Sequence, residues 1–170
     1  SNHARVIAIA SAQLGWPCII VIHGQDNPKK SNLKLMKLTG ARLRFVKHQD
    51  VAKEMDLAME QFTNEGKSPY YVWGGGHSNW GSFAFFKAVQ EFMQQSKQWI
   101  PDFVIVASGT GGTQAGLHVG FKEKAPKTRV IGISVAREKK RGSEAVSNAA
   151  KDLCQFINLP LELSEGVDFR

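Results

Sequence analysis

The sequence predicts an α/β protein in which parallel sheets are flanked by helices. Short apolar runs of strand length alternate with segments whose apolar residues recur at the helical period, which is typical of a parallel sheet with helices on its faces. Clusters of glycine, proline and asparagine separate these runs, as expected for short connections. The 170 residues are enough for a substantial core, and no internal repeat interrupts the pattern.

In the first half of the chain, two helix and strand pairs precede a longer amphipathic helix. Gly15 and Pro17 end the first helix, and Gly40 ends the second. Asp50 is placed to cap the third helix, whose apolar residues follow the 3.6-residue period. The predicted elements are helix 4–14, strand 18–22, helix 31–39, strand 43–46 and a helix with the apolar face Val51, Met55, Ala58, Met59 and Phe62.

The second half begins with an aromatic run over residues 70–73, which predicts a strand. Val104, Ile105 and Val106 form an apolar run typical of a strand that is buried on both sides. Residues 166–170 are expected to have nothing to pack against. The remaining predicted elements are loop 74–79, a helix with the buried face Phe85, Phe86, Val89, Phe92 and Met93, strand 103–107, helix 113–122, strand 129–135 and helix 143–157.

The composition is that of a folded globular domain. Hydrophobic residues make up 42% and charged residues 22%, and no apolar run approaches the roughly 18 residues of a membrane span. A net charge of +7 raises the question of a nucleic-acid partner, but the basic residues lack interleaved aromatic residues, so we expect neither nucleic acid nor a membrane as partner. Cys18 and Cys154 form no Cys-x-x-Cys pair, which indicates buried thiols in a reducing, cytoplasmic compartment.

Residues 101–116 carry the strongest functional signal. A buried strand leads into a glycine-rich loop, and a helix is expected to begin near Thr113. The glycines let the backbone turn successive N–H groups toward one ligand, the threonines add hydroxyl donors, and the positive end of the helix dipole points to the same place. The segment predicts an anion site of phosphate size; a tight loop without a ligand is the alternative. The predicted contact residues are Gly109, Thr110, Gly111, Gly112 and Thr113.

This loop lacks the features of two common nucleotide sites. A Walker loop needs a lysine after its glycines, and none follows here, which disfavours a nucleoside triphosphate. A dinucleotide site needs a third glycine, where Gln114 stands, and an acidic residue at the end of the next strand, whereas residues 129–136 end without one. A lone phosphate monoester such as pyridoxal phosphate fits the loop better.

Three motifs together resemble a known enzyme family. Ser-Asn-His-Ala-Arg spans residues 1–5, Gly-Gly-x-Ser-Asn spans 75–79, and Ser-Gly-Thr-Gly-Gly-Thr-Gln-Ala-Gly spans 108–116. Their order and spacing resemble the pyridoxal-phosphate-dependent D-cysteine desulfhydrase and 1-aminocyclopropane-1-carboxylate deaminase family. Smaller similarities at Asn32 and over 130–135 extend the resemblance over nearly the whole chain.

The resemblance implies a fold type II pyridoxal-phosphate enzyme, similar to the tryptophan synthase β chain, that forms a homodimer at full length. Residues 1–85 would belong to a smaller α/β domain and residues 86–170 to part of a larger cofactor-binding domain. By motif, Asn2 would lie beside the cofactor ring, and Ser1, Asn2 and His3 would contact the substrate. The glycine-rich loop would hold the phosphate of pyridoxal 5'-phosphate.

The sequence also departs from this family. The family's Schiff-base lysine lies ahead of the Ser-Asn-His motif, and a tyrosine and a Gly-Tyr-Gly segment follow the equivalent of Arg170; neither is present in this sequence. No lysine here has the context to replace the first one, and Lys29 and Lys30, which follow a turn, are expected at the surface. We therefore expect a fragment of a longer polypeptide that is inactive by itself.

The implied activity is that of a lyase acting on a small amino acid. The family chemistry favoured here is β-elimination from D-cysteine to pyruvate, ammonia and sulfide, because His3 and the Gly111-Gly112 pair differ from the usual deaminase pattern; ring-opening deamination is the alternative. A non-catalytic relative that binds phosphate or the cofactor, and a Rossmann-type nucleotide-binding module, stay open as other classes. The histidines show no metal spacing, so no metal site is predicted.

Overall fold

The computed structural model describes residues 1–27, 31–97, 99–135, 137–163 and 166–170. The chain divides into two compact units, Ser1–Gly75 (unit 1) and Gly76–Arg170 (unit 2). Each unit contains a parallel sheet with helices, which confirms the predicted α/β class. The domain boundary predicted after residue 85 lies inside a helix of unit 2, and the assignment of a smaller domain and a cofactor-binding domain stays a prediction.

Unit 1 is built on a two-stranded parallel sheet. The strands pair in register from Ile19 with Arg42 to His23 with Val46. A short 3-10 turn ends at Asp50, which takes the N-cap position of the third helix but makes no capping hydrogen bond with its side chain. The elements are α1 (Asn2–Gln13), β1 (Ile19–His23), α2 (Ser31–Leu38), β2 (Arg42–Val46) and α3 (Val51–Asn64), around the core residues Ala8, Ile20, Leu33 and Met36.

Unit 2 is built on a three-stranded parallel sheet in the order β3-β4-β5. The first two strands pair from Phe103 with Arg129 to Ser108 with Ser134. None of the described helices, in this unit or in unit 1, is long and apolar enough to cross a membrane. The elements are α4 (Asn79–Gln95), β3 (Phe103–Ser108), α5 (Gly112–Lys124), β4 (Arg129–Ser134), α6 (Lys139–Phe156) and β5 (Asp168–Phe169).

Helix α5 is the central helix of unit 2 and packs closely on α4 through a row of glycines. Gly112 faces Ser82 and Gly120 faces Val89, so the two helices run in the same direction. Between these positions, a Cβ atom at Gly116 would collide with the carbonyl oxygen of Ser82. The absence of side chains every fourth residue therefore lets the backbones approach more closely than other residues would allow.

The aromatic run at residues 70–73 was predicted as a strand, and this prediction is wrong. The run is irregular, and Tyr70 and Trp73 are exposed. The described strands of unit 1 pair only with each other. β-Propensity mainly reflects packing on a pleated surface. An aromatic run therefore does not form a strand where no neighbouring strand is present to pair with it.

Strand β3 was predicted to be buried on both sides, whereas its burial alternates. Val104 and Val106 pack against apolar residues of α4 and α5. Phe103 and Ile105 lie on the other face, where Ile105 is 69% exposed. Phe85, predicted on the buried face of α4, is likewise partly exposed. The continuous apolar run thus predicted the strand correctly, but the strand is covered on one face and not on two.

The end of the chain was predicted to have nothing to pack against, which is also wrong. Asp168 and Phe169 form β5, which pairs in parallel with Ile131 and Gly132 of β4. The ring of Phe169 is only 2% exposed and lies against Gly142 of α6, where a Cβ atom would collide with it. A two-residue strand is too short to show a period in sequence, so only the tertiary contact reveals it.

Smaller differences concern the ends of elements. Helix α6 begins at Lys139, earlier than predicted, and β4 ends at Ser134. The expected surface positions Lys29 and Lys30, and Ala136, the last residue of the segment considered for a ribose-binding acid, lie outside the described residues. Boundaries of this kind are the least certain part of a sequence pattern, because the ends of an element carry the weakest periodic signal.

Candidate phosphate-binding site

The glycine-rich loop connects the carboxyl end of β3 with the first turn of α5. Gly111 is the N-cap residue of α5 and has φ of 98°, a conformation that residues with a Cβ atom rarely adopt. A Cβ atom at this position would also lie 3.1 Å from Cγ2 of Val146 in α6. Both the backbone conformation and the contact with α6 therefore require glycine at position 111.

Several amides of this loop lack a main-chain partner among the described residues. Within the described part of the chain, the first amide after β3 with a main-chain partner outside the strand ladder is that of Ala115, which donates to the carbonyl oxygen of Gly111 at 2.9 Å. No side chain caps α5, whereas Ser78 Oγ caps α4 by accepting from the amide of Gly81 at 3.1 Å. The first turn of α5 thus presents several unpaired N–H donors at one point.

Electrostatics at this point favour an anion. Because α4 and α5 run in the same direction and Gly112 faces the first turns of α4, both helices begin at the same end of the pair. Their positive dipole ends therefore lie side by side, and the first turn of α5 contains no acidic residue that would offset them. A bound anion would reduce the repulsion between these two partial positive charges.

Ser108 adds a buried hydroxyl directly before the loop. It is the last residue of β3, lies on the same face as Val106 by the alternation of the strand, and is only 2% exposed. Among the described residues, its Oγ atom has no hydrogen-bond partner. Because burying an unpaired hydroxyl costs free energy, this atom marks a place where a ligand or a water molecule would be stabilising.

The structure brings the predicted phosphate residues together in unit 2. Gly109, Thr110 and Thr113 are half-buried, and Gly111 and Gly112 are buried. The helix begins one residue earlier than expected, at Gly112. The five residues form one continuous loop and first turn, so a ligand would be held by main-chain amides and by the two threonine hydroxyls. That they bind a phosphate stays a prediction.

The other predicted site residues lie at the start of α1 in unit 1. Ser1 is its N-cap residue, and its Oγ accepts from the amide of Ala4 at 3.4 Å. Oδ1 of Asn2 accepts from Nδ2 of Asn32, in α2, at 3.2 Å. His3 is half-buried, and its Nε2 has no hydrogen-bond partner among the described residues. These side chains therefore share one helix start.

Three residues around these sites were not predicted as functional. Ser108 is the first residue of the third motif, directly before the glycine-rich loop, so its position in the sequence could have indicated a role at the site. Gln114, which was considered only as a missing glycine, is buried. Asn32 was noticed for similarity alone, and no pattern in the sequence indicates that it pairs with Asn2.

Neither cysteine is suited to nucleophilic chemistry. Burial raises the pKa of the Cys154 thiol, and it raises that of Cys18 despite a hydrogen bond with Ser11. Cys154 is buried as predicted, whereas Cys18 is only partly buried. Within the residues that the structure describes, no three His, Cys, Asp or Glu side chains lie together as metal ligands would.

Comparison of the sequence with known proteins finds a matching family model and several similar proteins. The sequence model of the family described as "Pyridoxal-phosphate dependent enzyme" matches residues 1–162. A protein of Pyrococcus horikoshii named "Putative 1-aminocyclopropane-1-carboxylate deaminase" is 32% identical over 166 residues, which cover 96% of this chain and 50% of that protein. The 1-aminocyclopropane-1-carboxylate deaminase of Burkholderia ambifaria is 29% identical over 178 residues, covering 98% of this chain and 53% of that protein.

Solved structures give the same result for the fold. The crystal structure of an "ACC deaminase homologue" superposes with a TM-score of 0.81 at 28% identity and covers 99% of this chain and 52% of that one. Serine racemase from Dictyostelium discoideum has a TM-score of 0.60 at 20% identity, over 79% of this chain and 41% of its own, which is a likeness of fold alone. The chain spans about half the length of the curated relatives that it matches.

Proposed function

This chain belongs to the pyridoxal-phosphate dependent enzymes, and from that premise we propose that residues 109–113 hold the phosphate of pyridoxal 5'-phosphate in an enzyme that acts on a small amino acid. The observation that carries the proposal is the uncapped first turn of α5, whose amides have no main-chain partner within the described residues. Phosphate bound at a helix start satisfies such amides and meets the positive end of the dipole.

The residues around the loop fit a phosphate monoester. Gly111 lets the loop take its αL turn beside α6, where any side chain would meet Val146. The hydroxyls of Thr110 and Thr113 can donate to phosphate oxygens, and the buried Ser108 Oγ lacks any other described partner. No acidic side chain lies in the first turn of α5 to repel the ligand.

The start of α1, taken by itself within unit 1, is proposed as a substrate-binding position. Its first-turn amides and the Ser1 hydroxyl are suited to a substrate carboxylate, for the same reason that helix starts bind other anions. The hydrogen bond from Asn32 holds the Asn2 amide in one orientation, which suits a group that must face an aromatic ring. When bound, the cofactor supplies an electron sink for the negative charge that develops at the substrate Cα atom.

We propose ring-opening deamination of 1-aminocyclopropane-1-carboxylate as the first candidate reaction of the whole protein. The support is the printed names of relatives that are 28–32% identical to this chain. β-Elimination from D-cysteine is the second candidate. His3 and the Gly111-Gly112 pair favour it, because they depart from the pattern that deaminases usually carry.

The partners and location belong to the same proposal. We propose that the protein acts as a homodimer in the cytoplasm, with a small amino acid as substrate and neither nucleic acid nor a membrane as partner. The support is the resemblance to fold type II enzymes and the two free cysteines of the sequence. Light scattering on the protein at its natural length tests the oligomeric state, and a monomer would contradict it.

Cofactor titration tests the phosphate site. The protein at its natural length is titrated with pyridoxal 5'-phosphate and with pyridoxal, which lacks the phosphate, while tryptophan fluorescence reports binding. We expect much tighter binding of the phosphorylated compound and its loss in Gly111→Ala, because the added Cβ strains the αL backbone and meets Val146. Gly166→Ala is the control, since a Cβ there meets nothing within 4 Å. Equal binding of both compounds would contradict the proposal.

A substrate assay separates the two candidate reactions. The cofactor-loaded protein is offered 1-aminocyclopropane-1-carboxylate and D-cysteine in parallel. Deamination of the first gives 2-oxobutanoate and ammonia without sulfide, whereas elimination from the second gives pyruvate, ammonia and sulfide. Release of sulfide at a higher kcat/KM than that of 2-oxobutanoate would replace the first candidate by the second, and turnover of neither would contradict both.

A further inference from the structure

We propose that Gln114 is a positioning residue that links the phosphate loop, defined as residues 109–113, to β5. Through this link, β5 fixes the direction of the amides that face the ligand. The inference rests on the proposed function, because it concerns the same phosphate site. Gln114 follows Thr113 in the first turn of α5, and its side chain extends away from the loop toward the far strand of the sheet.

The side chain of Gln114 is almost completely enclosed. The residue is 1% exposed, and its Nε2 donates a hydrogen bond to the carbonyl oxygen of Asp168 at 2.8 Å. Its Oε1 atom is buried without a hydrogen-bond partner in the described part of the chain. Burying the unsatisfied Oε1 atom costs free energy, so the placement of this amide is not explained by stability alone.

Gly132 provides the space that this side chain occupies. A Cβ atom at Gly132, in the central strand β4, would lie 2.6 Å from Nε2 of Gln114 and would collide with Cδ and Oε1. Gly132 lies within a regular strand, so it is not needed for a turn. It is needed because the glutamine amide crosses β4 at this point on its way to β5.

The strand that Gln114 reaches is itself firmly held. The amide of Arg170 donates to the carbonyl oxygen of Gly132 at 2.8 Å, and the ring of Phe169 is buried against α6. The Asp168 carboxylate accepts from Arg129 at 2.8 Å and from Arg170 at 3.0 Å, and these arginines, Arg170 foremost, lower its pKa. Gln114 thus links the phosphate loop to a fixed backbone atom in another strand.

The link acts on the ligand only through the main chain. Because Gln114 is part of the first helical turn, rotation of its backbone also rotates the amides of Gly112 and Thr113. Hydrogen bonds to a phosphate depend on the direction of these N–H groups, since they weaken steeply when they are bent. Loss of the Gln114 contact should therefore weaken recognition of phosphate more than it weakens recognition of the rest of the cofactor.

The test compares binding of pyridoxal 5'-phosphate with binding of pyridoxal in the protein at its natural length. We expect Gln114→Met, which keeps the length but loses the donor, to lower the ratio of the two affinities about tenfold, equivalent to roughly 1.4 kcal/mol. Gln155→Met, on the exposed side of α6, is the control. A purely structural role would lower the unfolding temperature without changing this ratio, and an unchanged ratio would overturn the inference.

A second pair of variants uses the space above Gly132. Gly132→Ala should lower the ratio at least as much as Gln114→Met, because the new methyl group displaces the glutamine amide. In Gly132→Ala combined with Gln114→Ala, the methyl group has room, so the loss should not exceed that of Gln114→Ala alone. Additive losses would mean that the two positions act independently and would overturn the inference.

A measurement on the unaltered protein covers the case in which a variant does not fold. Hydrogen exchange at the Arg170 amide should slow severalfold when pyridoxal 5'-phosphate saturates the protein, because the loop and β5 are coupled through Gln114. Unchanged exchange there, with slowed exchange in the loop, would overturn this inference alone. If the unaltered protein did not prefer the phosphorylated compound, the proposed function would fail as well.

Discussion

Unit 1 and unit 2 contain the same kinds of elements but differ in how some of their glycines are used. In unit 1, Gly15 and Gly40 have positive φ values and would meet nothing if they carried a Cβ atom, so they serve to end helices. In unit 2, Gly116 and Gly142 have ordinary φ values and face close neighbours, so they serve packing. The comparison shows that one residue type can supply either backbone freedom or space.

The same contrast applies to the two proposed binding positions, one in each unit. The phosphate loop in unit 2 offers main-chain amides, and it is backed by α5, most of which is buried. The start of α1 in unit 1 offers the side chains of Ser1 and Asn2, which are exposed, and α1 itself buries only Ala8. We therefore expect changes in the packing of unit 2 to affect its site strongly, and changes in unit 1 to act mainly through the altered side chain itself.

The largest expected difference between the units comes from two leucines. Leu153 of α6 is 0% exposed and Leu38 of α2 is 83% exposed. Leu153→Ala should lower the free energy of unfolding by about 2–5 kcal/mol, because it removes buried contacts and leaves a cavity. Leu38→Ala should change it by about 0.5 kcal/mol or less. Urea denaturation measures both, and equal losses would contradict the assigned burial.

A smaller effect is expected from filling the contact between α4 and α5. In Gly116→Ala, the added methyl group would lie 2.7 Å from Cβ of Phe85 and collide with the Ser82 carbonyl oxygen. Separating the helices should cost about 1–3 kcal/mol. The control is Gly74→Ala, where a Cβ atom meets nothing within 4 Å. A Gly116→Ala variant as stable as this control would show that the helices are not in close contact.

The helix caps allow a direct comparison of the two units at smaller scale. Ser78 caps α4 with a hydrogen bond of 3.1 Å, and Ser1 caps α1 with one of 3.4 Å. Ser78→Ala should lower the free energy of unfolding by about 1 kcal/mol, and Ser1→Ala by about 0.5 kcal/mol, because its bond is longer. Thermal unfolding followed by circular dichroism ranks the two, and a larger loss for Ser1→Ala would reverse the comparison.

The smallest effect concerns one carboxylate in each unit. Lys67, Gln61 and Arg42 lower the pKa of Glu65 to about 2, and Arg170 and then Arg129 lower that of Asp168. Since each folded-state pKa lies below the unfolded value, ionisation favours folding above roughly pH 4, and this contribution is lost as the pH falls toward the folded-state pKa.

Glu65→Gln and Asp168→Asn test this pH dependence. Each variant should be less stable than the unaltered protein at pH 7. The difference should shrink as the pH falls below roughly 4, where the carboxylate of the unfolded chain takes up a proton while that of the folded chain is still ionised. Urea midpoints at a series of pH values give the result. A difference that stays constant with pH would show that the ion pairs do not contribute.

The sequence was sufficient for the elements that have a long periodic signal, and for the loop that has a distinctive composition. Helices α3 and α4 were found by their apolar period, and the loop before α5 was found by its glycines and threonines. The contacts of Gln114 and Phe169 could not be found in this way. Each depends on a glycine from another element, Gly132 or Gly142, and the sequence gives no sign of which glycine faces which side chain.

The wrong predictions also concern features that depend on contacts between residues far apart in the sequence. The strand predicted at residues 70–73 rested on side-chain type alone, while a strand requires a partner. The two-sided burial predicted for β3 rested on the same reasoning, since Ile105 is as apolar as its neighbours although its face is exposed. Which face of a strand is covered depends on other elements of the fold.

The open first turn of α5 has a consequence for the life of the protein in a cell. Where α4 has a serine to complete its first turn, α5 has none, so a phosphate ligand would complete the helix from outside the polypeptide. A ligand at a hundredfold excess over its Kd adds about 2.7 kcal/mol to the stability of the state that binds it. The abundance of this protein would then follow the supply of the vitamin from which its cofactor is made, even if the rate of its synthesis were constant.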